Sequence, residues 1–365
     1  MSHMREALDL AKKGVALATP NPMVGAIVVR DDKVVGRGFH TWEGVKHAEV
    51  VALEEAGEAA RGAAMYVTLE PCSHTGRTPP CVDAVIAAGI QKVIVAAADP
   101  NPLVGGEGLR RLRAAGIHVE MATHFQAEAE KLNEPFFHLM RTGKPLVTLK
   151  SASTLDGKIA APEDNTGWIT SARARAHVQE LRHAADAIVT GIGTALADDP
   201  LLTDRTGLPR ARPLVRVVLD STLRLPLESK LAQSAREDLI VVATTAASAE
   251  RRRVLEARGI EVRIFDGPRG RVDICDVVSM LGERGCLSVM IEAGSKVNWA
   301  ALEAGAVDKV FLYYAPKILG GLASLPMAGG IGRMRREDAI LLERTEVHMI
   351  PPDEFAVEAW VRKGA

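Results

Sequence analysis

His47 and Glu49 flank a single alanine, and Glu70-Pro71-Cys72 follows downstream with Cys81 nine positions after Cys72. One imidazole and two thiols make three protein ligands, the number that leaves tetrahedral zinc an open position for water. Zinc lowers the pKa of such a water towards ~7. Glu49, one residue beyond an expected ligand, can reach the water without ligating the metal, take its proton and return it to a ring nitrogen and a departing ammonia. Cys81 follows Pro79-Pro80 at an expected helix start, a position that favours a thiolate. The expected chemistry is metal-assisted hydrolytic deamination, and His-x-Glu with a Pro-Cys motif is the pattern of the zinc nucleobase deaminases.

The alternative is a closed structural site, for which His74 is the nearby fourth donor. The usual second deaminase motif has two residues between its cysteines, whereas here eight intervene, SHTGRTPP.

Positioning these groups calls for alternating strands and helices. VGAIVV and VVGRGF read as a hairpin turning at Asp31-Asp32-Lys33, followed by a helix over 48–60, the strand MYVTL, and a helix from Cys81 to Ala88 stopped by Gly89. The strand KVIVAAAD and helices over 108–115 and 125–141 extend the pattern to a three-layer α/β domain. Thr142-Gly143-Lys144-Pro145 reads as the boundary, giving domains over 1–143 and 144–365.

Beyond it the alternation restarts with PLVTLKS, DAIVTG, LVRVVLD, LIVVAT, VRIF, LSVMIEAG and KVFLYYA as strands, a helix from Ala172 capped by Thr170 or Ser171, and a closing hairpin VHMIPPDEFAVEAWV. Two strand ends run into glycines. Thr190-Gly191-Ile192-Gly193-Thr194 is not the dinucleotide fingerprint: its third glycine is missing, and Asp198-Asp199-Pro200 is expected to break any helix. Glu292-Ala293-Gly294-Ser295 precedes a helix expected over 297–304, a start whose amides suit a pyrophosphate.

The chain has 365 residues, 47% hydrophobic and 25% charged, enough for two cores in a soluble protein. A net charge of −1 and 4% aromatics speak against a nucleic-acid binder. No apolar run approaches a membrane span, the N-terminus reads as an amphipathic helix, and four cysteines are too few for a disulfide scaffold, so a cytoplasmic protein is expected. Cys275 and Cys286 read as small buried hydrophobes, and His3, His118 and His124 as structural.

TLEPCSHTGRTPPC, with PNPMVGAIVV and HAEVVAL upstream, closely resembles the bifunctional riboflavin-biosynthesis deaminase/reductase family, in which the long cysteine spacing is itself characteristic. LKSASTLDGKIA, GWITS and VVLDS extend the resemblance over nearly the whole chain. It implies a cytidine-deaminase-like α/β/α domain followed by a dihydrofolate-reductase-like α/β domain using NADPH. The first would deaminate a diamino-ribosylamino-pyrimidinone 5′-phosphate, and the second would reduce the ribose of the resulting aminouracil ribotide to a ribityl chain. By the same resemblance Asn21, His40, His74 and Arg77 line the first pocket, and Thr166, Arg182, Leu202, Arg205 and Glu292 contact the second substrate. Arg182 and Arg205 are chemically suited to clamp its phosphate. Ala152, Trp168, Thr194, Asp198, Ser221 and the loop Gly294, Ser295, Lys296 would contact NADPH. Lys150, Asp199 and Glu292 are the ionisable candidates for proton transfer in the reduction, and the sequence does not rank them. The expected partner is a small-molecule pyrimidine ribotide, with neither nucleic acid nor membrane, in a homo-oligomer. Two rival readings are a nucleic-acid deaminase with an unrelated appendage and a zinc-stabilised scaffold without catalysis.

Overall fold

A computed structural model describes residues 2–101, 105–163, 167–236 and 238–363. The chain divides into two compact units, one of Met1–Lys144 with Pro209–Arg212, the other of Pro145–Leu208 with Pro213–Ala365.

The first unit runs α1 Ser2–Lys12, β1 Gly25–Arg30, β2 Lys33–Phe39, α2 Ala48–Ala56, β3 Ala64–Leu69, α3 Cys81–Ala87, β4 Lys92–Ala97, α4 Glu107–Ala114, β5 His118–Met121, α5 Gln126–Leu132 and α6 Glu134–Thr142. Asp31 and Asp32, both at positive φ, make the two-residue turn between β1 and β2. The sheet order is β2-β1-β3-β4-β5. Alternate residues of its strands face opposite ways: Val28, Met65 and Val93 pack against α2, α3 and α4, while Ile27, Tyr66 and Ile94 pack against α1, α5 and α6. Three layers result. Gly36 and Gly38 let α2 lie directly on β2, since a Cβ at either would stand 2.1 Å from the carbonyl oxygen of Ala52 or Ala48. That close approach sets the start of α2, where His47 and Glu49 lie.

Two local expectations are revised. The helix over 48–60 is α-helical only to Ala56 and finishes as a 3-10 turn over Gly57–Ala60. The helix over 125–141 breaks at Asn133, whose buried side chain is committed elsewhere.

The second unit runs β6 Leu146–Thr154, β7 Lys158–Ala160, α7 Ala172–Ala184, β8 Ala187–Gly191, α8 Ile192–Asp198, β9 Val215–Leu219, α9 Lys230–Gln233, β10 Leu239–Ala243, α10 Ala249–Glu256, β11 Glu261–Ile264, α11 Ile274–Glu283, β12 Ser288–Ile291, α12 Ser295–Glu303, β13 Lys309–Ala315, β14 Leu325–Pro326, β15 Leu342–Ile350 and β16 Glu354–Val361. Its main sheet is ordered β11-β10-β9-β8-β12-β6-β13-β16-β15. Strands from β11 to β13 are parallel, and β16 and β15 complete the edge antiparallel. Both faces of the parallel strands are apolar because helices cover both. α11 and α12 pack on Val147, Val189 and Ile291, whereas α8, α9 and α10 pack on Ile188, Val218 and Val241. α7 covers Phe311 and Tyr313 of β13.

Ser171, rather than Thr170, caps α7 by accepting from the Ala174 amide. A helix does follow the first glycine strand end: α8 forms and ends at Asp198, with Asp199 at φ 39°. The Asp-Asp-Pro run therefore ends this helix instead of preventing it. α12 begins at Ser295, two residues before the expected start, because Gly294 in extended conformation serves as its N-cap. Cys286 is buried in the core of this unit and Cys275 packs beside it. No helix among the described residues is long and apolar enough to cross a membrane.

Candidate active sites

In the first unit, His47 closes the loop before α2, Cys72 follows β3, and Cys81 opens α3. Their ligand atoms lie within 4.8 Å of one another. His47 Nδ1 is 3.0 Å from Cys81 Sγ and 3.4 Å from Cys72 Sγ. The Cys81 amide donates to Cys72 Sγ at 3.3 Å. The donor set suits zinc: one imidazole and two thiols converging, with no fourth protein donor grouped with them among the described residues. His74, the candidate for closing the site, is exposed and outside this group.

Hydrogen bonding from the Cys81 side chain, aided by His47, pulls the Cys72 thiol down to about 4, and the same bond pushes the Cys81 thiol up. The first amide of α3 points at the Cys72 sulfur and supports a thiolate there, while a bound metal would take both Cys72 and Cys81 as thiolates.

Glu49 is only 3% exposed in the first turn of α2. Burial, with the Cys72 charge beside it, pushes its carboxyl up to about 7. A carboxyl that gains and loses a proton near neutrality suits a proton shuttle.

His40 stands beside His47 with ring centroids 5.1 Å apart. Its Nδ1 must donate to the Lys46 carbonyl at 2.9 Å, so in the neutral ring Nε2 accepts from Asn21 Nδ2 at 3.0 Å. Burial, which lowers its pKa, favours that neutral ring. The Asn21 segment is itself fixed by Asn133, which receives the Met23 amide at 2.7 Å and donates to the Met23 carbonyl at 2.9 Å. Arg77, within the cysteine loop, lies with its guanidinium 3.9 Å from the Trp42 ring centroid. Glu70, buried, accepts from the amides of Asp99, Gly106 and Leu109 and so holds the start of α4 against the site loop. Asn133 and Glu70 carry no local sequence signal, since their partners lie far away in the chain.

In the second unit, Lys150 lies on β6 and Glu292 just past β12, neighbouring strands whose parallel register aligns them. Lys150 Nζ donates to Glu292 Oε1 and Arg182 Nε to Glu292 Oε2, each at 2.9 Å. Burial alone would raise the Glu292 carboxyl, but the Lys150 and Arg182 charges overcome it and hold the group at about 2. Tyr313 of β13, unremarked in the run KVFLYYA, places its ring 5.8 Å from Lys150 Nζ and its hydroxyl 2.9 Å from His177 Nδ1. Burial pushes its phenol up, so it stays neutral.

Arg182, 9% exposed, also donates to the Thr203 carbonyl at 3.1 Å. It thus holds Glu292 and the loop after α8, whereas Arg205 leaves its side chain exposed. The same loop is gripped by a buried His183–Asp204 pair and by Gln179, which receives the Arg205 amide. Arg216, inaccessible on β9, donates to the Leu201 carbonyl at 3.0 Å from below. Leu202 is buried in the core at φ 52°, so only its backbone is available to a ligand. Asp199 accepts the Lys230 amide at 2.8 Å, a capping task remote in character from the Lys150–Glu292 pair.

The two glycine strand ends meet, as their adjacent strands require. A Cβ on Gly191 would stand 2.7 Å from Val297 Cγ2, and one on Gly294 3.2 Å from Thr194 Oγ1. Ser221, whose carbonyl accepts from Thr244, follows β9 beside them, and Ala152 lies on β6. Thr194, Ser221 and Gly294 thus stand past the carboxyl ends of neighbouring parallel strands, where open α/β sheets bind ligands. Ser295 is buried and hydrogen-bonded to the Pro326 carbonyl, while Lys296 and Asp198 are exposed. Trp168 is 69% exposed, with Arg175 stacked 4.6 Å from its ring centroid. Thr166 lies outside the described residues.

Residues 1–97 match the cytidine and deoxycytidylate deaminase zinc-binding region, and residues 145–353 match the RibD C-terminal domain. The riboflavin biosynthesis protein RibD of Actinobacillus pleuropneumoniae is 41% identical over 353 residues, covering 97% of this chain and 93% of the relative. That of Escherichia coli K12 is 40% identical, with 96% of each chain covered. The solved RibD of Acinetobacter baumannii (form 1) has a TM-score of 0.87 at 36% identity, covering 99% of this chain and 98% of that one. A Thermotoga maritima diaminohydroxyphosphoribosylaminopyrimidine deaminase/5-amino-6-(5-phosphoribosylamino)uracil reductase has a TM-score of 0.83 at 35% identity over the same shares. With this fold, these two sites and relatives alike over nearly the full chain, the protein belongs to the RibD family, the bifunctional deaminase and reductase of riboflavin biosynthesis.

Proposed function

We propose that residues 1–143 deaminate the diaminopyrimidinone ribotide and that residues 144–365 reduce the resulting 5-amino-6-(5-phosphoribosylamino)uracil with NADPH. The observation that carries the first half is the convergence of His47, Cys72 and Cys81 with buried Glu49 on the same helix start. These three residues would hold zinc, which when bound polarises a water at the open ligand position. Glu49 takes one proton of the attacking water and passes it to the ring nitrogen, then carries the remaining proton of the added hydroxyl to the departing amino group, which leaves as ammonia as the carbonyl forms. Asn21 and His40 read the ring edge, and His74, exposed on the cysteine loop, joins them when the substrate binds. Arg77 reads the phosphate, for which an exposed guanidinium is suited.

The second half rests on the facing glycine strand ends and the Lys150–Glu292–Arg182 cluster. Ala152, Trp168, Thr194, Asp198, Ser221 and the loop Gly294–Lys296 would hold NADPH, which when bound supplies hydride. Arg205, the Leu202 backbone and Glu292 face the ribotide, and Thr166 is assigned to it by the resemblance alone. Lys150 holds the transferable proton: Glu292 at about 2 is ionised at neutral pH and cannot donate, and Asp199 is occupied as a cap. Arg182 acts through Glu292 and the 203 carbonyl, leaving Arg205 as the phosphate clamp.

We place the protein in the cytoplasm, a reducing compartment in which Cys72 and Cys81 stay available to a metal. Exposed Leu322, Ile331, Met334 and Met349 support a homo-oligomer, which light scattering would test. Incubation with the pyrimidine ribotide and NADPH, followed by mass analysis, tests the whole reading: the ribityl aminouracil phosphate and ammonia should both appear.

A further inference from the structure

We propose that Trp42 is a positioning residue of the deaminase site: its indole face carries the Arg77 guanidinium, and its carbonyl holds one N–H of that group, so that the remaining N–H groups are presented to the phosphate of the substrate. The inference rests on the reading that Arg77 is the phosphate reader.

Arg77 lies in the middle of the loop joining Cys72 to Cys81, and its side chain is exposed. A long side chain on such a loop samples many rotamers, and fixing it on a ligand is entropically costly. Trp42 removes much of that freedom. The guanidinium carbon is 3.9 Å from the indole centroid, close enough for face-on stacking, and Arg77 Nη1 donates to the Trp42 carbonyl at 3.2 Å. Trp42 is itself anchored, its amide donating to the Leu17 carbonyl at 2.7 Å. Stacking engages the flat face of a guanidinium and leaves its N–H edge in plane, which is the edge that grips phosphate. Among the described residues the rest of that edge makes no hydrogen bond. Its charge also acts on His40, which lies edge-on to His47. Trp42 and Arg77 come from separate loops, so the pair also joins the His40-bearing connection to the cysteine loop.

The test compares steady-state deamination of the ribotide and of its dephosphorylated riboside by wild type, Trp42→Ala, Trp42→Phe, Arg77→Ala and the double variant. Zinc content and reduction of supplied aminouracil ribotide serve as folding controls. Trp42→Ala should raise KM for the ribotide roughly 10-fold with kcat kept, from the loss of one partly desolvated cation–π contact. It should leave the riboside unchanged. Trp42→Phe should recover most of the effect, and in the double variant the two losses should not add. If Arg77→Ala slows both substrates alike, Arg77 is not the phosphate reader and the underlying reading falls. If Arg77→Ala is phosphate-selective but Trp42→Ala is not, that reading stands and the positioning role is overturned. A Trp42→Ala variant that loses zinc or slows both substrates equally, with Trp42→Phe doing the same, would make Trp42 a support of the fold and also overturn the proposal.

Discussion

Lys150 Nζ and Glu292 Oε1 lie 2.9 Å apart across two neighbouring parallel strands, with Arg182 closing the other carboxylate oxygen. One carboxylate therefore balances two largely buried cations. Glu292→Gln removes the negative charge that both cations share, and breaking such a buried pair costs roughly 3–5 kcal/mol. The variant should lose reduction by at least ~10²-fold while releasing ammonia from the first substrate at the wild-type rate. Paired product assays check this, and reduction within tenfold of wild type would show that the cluster has another task.

The same cluster sets a pH dependence. Glu292 is held at about 2, below the ordinary carboxyl value of 4.5, so its stabilising effect is complete above about 4.5 and disappears as pH falls through about 2. At ~1.4 kcal/mol per unit, the contribution is on the order of 3 kcal/mol. The stability gap between wild type and Glu292→Gln, followed by denaturant unfolding, should narrow steadily from pH 5 towards pH 2. A gap that stays constant over that window would contradict the depressed carboxyl.

For the metal, Cys81→Ser should bind far less zinc than wild type, which is expected to hold one ion per chain through His47, Cys72 and Cys81. Elemental analysis after dialysis against a weak chelator measures it. Full zinc together with full deamination would remove Cys81 from the ligand set.

Glu49→Gln should retain zinc yet lose deamination by ~10²–10⁴-fold, the usual contribution of a general acid or base. The amide keeps the size of the buried side chain but cannot carry a proton. Reduction of supplied aminouracil ribotide should be unaffected. Deamination within tenfold of wild type would assign Glu49 a different role.

Much of this molecule follows from local sequence. The alternation of apolar strands with amphipathic helices predicts two α/β units, because sheets covered on both faces need it. The His-x-Glu and Pro-Cys motifs predict a zinc site, because ligand chemistry depends on residue type and on short-range geometry such as a helix start. The chain pattern narrowed the cap of α7 to Thr170 or Ser171, and the structure selects Ser171. What the sequence left open depends on residues distant along the chain. Asn133 holds Met23 across 110 positions, and Glu292 meets Lys150 across 142. Only the strand order puts β12 between β8 and β6, and that insertion brings the two glycine strand ends face to face and sets Glu292 beside Lys150. The hydrogen bond from the first amide of α3 to the Cys72 sulfur is a tertiary outcome too, since it depends on where that amide points. The local pattern determined which groups could do chemistry; which of them are paired, buried or left free for a ligand was decided by packing, because charge and hydrogen bonding respond to distance in space.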